Sequence, residues 1–107
     1  MAPLHVYYKG VLALDEEFEP DDAFQLEEAR LHLGAVGGSS EDFLITLDSL
    51  EGSEFDVVLN TQAMAAVSDE VYQPTRPEVF RKGEKLKFTW TNTSAVSWGL
   101  EIVYQLI

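Results

Sequence analysis

KLKFTWTNTSAVSWGLEIVYQLI, residues 85–107, holds two alternating runs on either side of a short polar connection, and their phase decides the fold. In the first run Leu86, Phe88 and Trp90 share one face while Lys85, Lys87, Thr89 and Thr91 take the other. That period of two belongs to a half-buried strand. In the second, Trp98, Leu100, Ile102, Tyr104 and Leu106 fall in phase against Gly99, Glu101, Val103, Gln105 and Ile107. Burying two such rows, at about 25 cal/mol per Å² of apolar surface, supplies a large share of the driving force for a small domain. With Asn92-Thr93-Ser94-Ala95 between them, the runs predict a central hairpin.

The rest of the chain repeats the pattern. Upstream, Arg81-Lys82-Gly83-Glu84 is a polar turn, and Val71-Tyr72 and Val79-Phe80 are brief extended pieces around Pro74 and Pro77. Proline lacks an amide donor, so these pieces belong at sheet edges. Phe55, Val57 and Leu59 alternate, with Asn60-Thr61 ending the strand. The following TQAMAAV, residues 61–67, reads as one helical turn or a crossing between sheets that packs Met64 on the core. Phe43, Ile45 and Leu47 form another strand, reached through the Gly-rich turn 34–40, which reads as a hairpin.

Phe24 and Leu26, then Ala29, Leu31 and Leu33, alternate with a phase shift across Glu27-Glu28, as the extra residue of a β-bulge requires. A helix competes there, because AFQLEEARLHL contains good helix formers. Leu4 to Leu14 reads as one bent strand or two short ones around Gly10, and DEEFEPDD, residues 15–22, as a solvated acidic loop. About eight short strands at roughly ten-residue spacing predict an all-β fold, a single jelly-roll-like β-sandwich occupying residues 1–107.

Composition narrows the function. With 107 residues one core is expected, too small to hold a site between two domains. The absence of cysteine excludes disulfides, thiolate zinc sites and a Cys nucleophile. No apolar run reaches the roughly 18 residues of a membrane span, and the start of the chain has no signal-peptide pattern. The net charge of −12 disfavours nucleic acid and anionic membranes as partners. Catalytic signals are also missing: no GxSxG elbow occurs, and carboxylate pairs drawn from Asp48, Glu51, Glu54 and Asp56 arise by chance in so acidic a chain. His5 and His32 read as polar-face strand residues, and Asp15, Glu16, Glu17, Glu19, Asp21 and Asp22 lack the spacing of a calcium loop. No enzyme activity, metal or cofactor is expected.

Two binding surfaces are nominated. Fourteen of the 19 acids lie in residues 1–60, whereas five of the seven bases, Arg76, Arg81, Lys82, Lys85 and Lys87, lie beyond. This polarity predicts an interface between copies in which Arg76, Arg81, Lys82 and Lys85 meet acidic loops, joined by Val103 and Ile107 on the second face of the last strand. Val11 and Tyr7 mark a similar face at the other end of the chain. The alternative is a carbohydrate-binding module or receptor-binding component that stacks sugars on Tyr72 and Trp98. Trp90, in phase with Leu86 and Phe88, belongs to the core.

The segments DFLITLDSLEGSEFDVVLNTQAM, residues 42–64, and YQPTRPEVFRKGEKLKFTWTNTSAVSWGLEIVYQL, residues 72–106, resemble small structural proteins of tailed-phage virions. The shared pattern is a strand ending in Asp48-Ser49, turns at Gly52 and Gly83, and a Thr/Asn-rich connection before the final strand. The resemblance implies a non-enzymatic capsid decoration or cement subunit, made in the host cytoplasm and placed on the virion exterior. Its partners would be a major capsid or other virion protein and further copies of itself, as in a trimer. The motif carries over no functional residue.

Overall fold

Alternation with a period of two runs through almost every strand of the computed structural model, which describes residues 3–38 and 40–107. Among the described residues nine strands follow one another: β1 Leu4–Gly10, β2 Leu14–Phe18, β3 Phe24–Leu33, β4 Asp42–Asp48, β5 Val57–Ala63, β6 Asp69–Tyr72, β7 Glu78–Phe80, β8 Lys85–Trp90 and β9 Trp98–Leu106. They form two antiparallel sheets. One runs β1-β9-β3-β6, with β7 also on β3, and the other runs β2-β8-β4-β5.

The connectivity is that of a jelly roll. The chain forms one long hairpin whose tip is the β4–β5 turn: β1 pairs with β9, β2 with β8, β3 with β6 and β7, and β4 with β5. This hairpin is wrapped so that β9 also meets β3 and β8 also meets β4. The expected fold class therefore holds, with β6 and β7 as two short pieces of one edge separated by the Pro74–Pro77 loop.

The central hairpin is not formed. β8 and β9 are interior strands of different sheets, and residues 91–97 arch between them. Asn92 holds the arch. It is 4% exposed, adopts φ 51°, and its Nδ2 donates to the carbonyls of Leu12 at 3.0 Å and Val96 at 2.9 Å, with Val11 at 3.4 Å. Its Oδ1 accepts the Val96 amide at 2.9 Å. One buried side chain thus ties the arch to the β1–β2 loop. The turn at residues 34–40 likewise crosses between sheets, since β3 and β4 lie in different ones.

The two inward rows meet as the core. Leu86, Phe88 and Trp90 of β8 face Trp98, Leu100 and Ile102 of β9, all buried, with Phe24, Leu26, Leu31, Phe43, Ile45 and Met64 around them. The register of β3 against β9 shifts between Leu26 and Glu28, which is the expected bulge and excludes the helix. Met64 is fully buried beside the crossing from β5 to β6, as expected. Three boundaries differ. Residues 14–18 are a strand rather than acidic loop, because Leu14 and Phe18 turn inward while Asp15 and Glu17 take the outer face. Phe55 lies in a 3-10 turn, Ser53–Phe55, and is 60% exposed. Strand β5 runs on through Asn60-Thr61 to Ala63.

Candidate functional site

The outer face of the β1-β9-β3-β6 sheet holds a hollow of about 670 Å³ lined by Tyr7, Lys9, Arg30, His32, Asp69, Val71, Gly99 and Glu101, among others. Register explains its shape. Lys9 and His32 stand on either side of Gly99, and Tyr7 and Arg30 on either side of Glu101. A side chain is missing from the centre of a row of long ones, and a Cβ built at Gly99 would meet no atom within 4 Å.

The rim is tied in place by ion pairs. Glu101 receives His5 through Nδ1 at 2.7 Å and Arg30 through its NH1 at 3.0 Å, while the Arg30 Nε donates to Glu28. Gln73 Nε2 reaches the other Glu28 oxygen at 2.7 Å. The His5 contact, followed by those from Tyr7 and Arg30, holds the Glu101 carboxyl below its usual range. The same carboxylate, as a hydrogen-bond acceptor, pushes the Tyr7 phenol up. Across the hollow His32 Nδ1 lies 2.6 Å from Asp69, whose second oxygen accepts from Ser68 Oγ at 3.1 Å. Asp69 is thereby lowered, by His32 first and Ser68 next. Both histidines are polar-face strand residues, as read from the sequence. Among the described residues no group of three or more His, Asp or Glu side chains could hold a metal ion.

A second surface lies at the tip of the long hairpin. Leu50 is 51% exposed, Phe55 60%, Val57 48% and Val58 53%. The tip leads into β5, the edge of its sheet, and residues 57–67 carry no charge in a chain of net charge −12. A bulge in β5 leaves Leu59 without a partner between Val58 and Asn60, a feature that discourages edge pairing.

The structure redistributes the nominated interface residues. Arg81 and Lys85 are engaged within the chain: Arg81 lies 2.9 Å from Glu51 and Lys85 3.1 Å from Glu17, with Asp48 beside Lys85 and Lys87. The separation of acids and bases along the sequence is cancelled by folding, since β8 lies between β2 and β4. Lys82 is exposed on the β7–β8 turn near the hairpin tip, where Leu50 packs against Gly83. Arg76 is exposed on the Pro74–Pro77 loop, away from that turn in sequence and lining a hollow with Gln25 and Glu27. Val103 is only 7% exposed and so offers no docking surface, whereas Ile107 is 68% exposed. Val103 lies between His5 and Glu28 in register, and these long neighbours account for its burial.

Neither nominated sugar platform is free. Trp98 is 6% exposed, and its Nε1 donates to the Leu12 carbonyl at 2.8 Å. Its ring lies where a side chain at Gly10 would stand, 2.9 Å from the position of a Cβ there. Tyr72 packs partly against the core and donates its hydroxyl to Glu78; burial first and that contact second push its phenol up. Tyr7 is instead an outward aromatic of this sheet, 70% exposed. Its phase in the first strand made it visible, but nothing in the sequence set it beside Gly99.

No family model matches the chain, and no curated protein is detectably similar to it.

Proposed function

We propose that this protein is a non-enzymatic structural subunit of a tailed-phage virion, a decoration or cement subunit that oligomerises and docks on a protein lattice. The resemblance of residues 42–64 and 72–106 supplies the biological setting. The observation that carries the mode of action is the hairpin tip, where Leu50, Phe55, Val57 and Val58 stand exposed beside an uncharged sheet edge. Large apolar side chains gathered at one exposed tip favour a protein partner. An unpaired strand edge offers such a partner a row of amide and carbonyl groups.

A subunit of this kind works through area. A stable contact buries about 1,200–2,000 Å², and the tip with the flanking β5 edge supplies its apolar centre. The engaged state of Arg81 and Lys85 shifts the expected energetics from charge complementarity to apolar burial, so assembly should be nearly insensitive to moderate salt. The test is molar mass by size-exclusion chromatography with light scattering, combined with binding to assembled capsids. The wild type should form a closed oligomer and occupy capsids; Val58→Lys and Phe55→Asp should abolish both without lowering the melting temperature. A monomeric wild type that leaves capsids bare would overturn the proposal.

A further inference from the structure

The geometry points to a saccharide-binding site on the outer face of the β1-β9-β3-β6 sheet, seated over Gly99. This goes beyond docking at the hairpin tip and uses none of its residues. The starting observation is a contrast among glycines. At Gly10, Gly34, Gly37 and Gly38 an added Cβ would come within 3.0 Å of another atom, and Gly52 and Gly83 have φ of 113° and 92°. Packing against the Trp98 ring at Gly10 and the Met64 carbonyl at Gly37, or backbone conformation at Gly52 and Gly83, favours glycine there; at Gly34 and Gly38 the contact is a serine hydroxyl that can rotate aside. Gly99 has neither reason: its surroundings are open to 4 Å, and it weakens an interior strand that any β-former would strengthen. Glycine inside a strand often marks a bulge, a bend or the close approach of a ligand or another backbone; the register of β9 runs unbroken through Gly99 on both sides, so no bulge accounts for it.

The walls indicate which ligand. A sugar presents a face of C–H groups and an edge of vicinal hydroxyls, each both donor and acceptor. The ring of Tyr7 is 70% exposed and has one face towards the His5 imidazole; its other, negative π-face suits the C–H side. Glu101 and Asp69 retain acceptor lone pairs beyond the pairs they make, and Arg30, Lys9 and His32 offer donors. The acids are already oriented by His5, Arg30 and His32, so little side-chain freedom is lost when a ligand binds. A phosphorylated ligand is disfavoured, because carboxylates share the rim and the chain carries −12. The hollow, at about 670 Å³, falls within the range of small-molecule sites, about 300–1,000 Å³, and holds one or two sugar rings.

The test is a titration of the ¹⁵N-labelled protein, followed by amide NMR, with methyl glucoside, methyl mannoside, galactose, N-acetylglucosamine, maltose, cellobiose and lactose. At least one should saturably shift the amides of Tyr7, His32, Gly99 and Glu101 below about 20 mM sugar, with affinity falling roughly tenfold or more in Tyr7→Ala and Gly99→Leu. Gly99→Leu fills the hollow without a clash, so it should fold with an unchanged or higher melting temperature. No shift with any of these sugars, or binding undiminished in Gly99→Leu, would overturn the site. So would inorganic phosphate shifting these amides when the sugars do not. Each spectrum is read at a concentration where the tip variant Val58→Lys serves equally well, which separates this result from the fate of the docking proposal.

Discussion

On β8 the outward row is Lys85, Lys87 and Thr89, and its two lysines reach Glu17 and Asp48 on the neighbouring strands. On β9 the outward row is Gly99, Glu101, Val103 and Gln105, where Glu101 gathers His5 and Arg30 and the position beside it is empty. Inward, the strands are alike. Each is an interior strand of its sheet and sends alternate large apolar side chains into one core. The inward rows specify the fold, so it is in the outward rows that the two sheets differ in what they can bind. Around Lys85 and Lys87 one outer face is covered by long side chains paired with each other, and around Gly99 the other leaves a gap between such pairs.

The equivalence of the inward rows is the easiest part to break. Phe88 and Ile102 are both fully buried, and Phe88 stacks on Phe43 with centroids 6.5 Å apart. Phe88→Ala should cost about 3–5 kcal/mol and Ile102→Ala about 2–5 kcal/mol, each with a single unfolding transition in urea. A biphasic transition in either variant would mean that the sheets do not share one cooperative core.

That core was legible in the sequence because inward residues of a strand recur with a period of two regardless of partner. The bulge at Glu27-Glu28 was legible for the same reason: an extra residue inverts the phase. The partner of each strand was not. Alternation in residues 85–107 is equally compatible with a hairpin and with two facing sheets, since both bury the same rows. What decides between them is pairing with strands far away in sequence, β2 and β4 on β8 and β1 and β3 on β9; the arch is then fastened by Asn92, whose buried amide donates to the carbonyls of Val11 and Leu12. The site was hidden by the same ignorance of pairing. Gly99 and Tyr7 become neighbours only through the register of β1 on β9, and the apparent charge polarity vanished once β2, β8 and β4 lay side by side.

Asn92 therefore sharpens the comparison, because it ties the arch between β8 and β9 to the β1–β2 loop. Asn92→Ala removes the buried donor shared by the Leu12 and Val96 carbonyls and should cost about 1–3 kcal/mol. Asn92→Asp should cost more, since it turns an acceptor towards those carbonyls. Equal melting temperatures for the two variants would show that the arch is held by backbone turns alone.

The smallest expected effects are the pH dependences of the two outward networks, which should have opposite signs. On β9, Glu101 titrates below its ordinary 4.5 because of His5, then Tyr7 and Arg30. A carboxyl whose folded pKa is depressed stabilises the fold above its unfolded value, and that contribution is lost as pH falls through the lower folded one. On β8, Lys85 titrates above its ordinary 10.5, chiefly because it hydrogen-bonds Glu17. A raised lysine contributes below its unfolded value and loses that contribution as pH rises through the folded one. The melting temperature of Glu101→Gln should thus approach that of the wild type as pH falls below about 4.5, while the gap for Lys85→Met should close only above about 10.5. Both groups lie at the surface, so salt should shrink both gaps. If the Glu101→Gln gap stayed constant into acid, the hollow's rim would be held by packing rather than by ion pairs, and its polar groups would not be preorganised for a ligand.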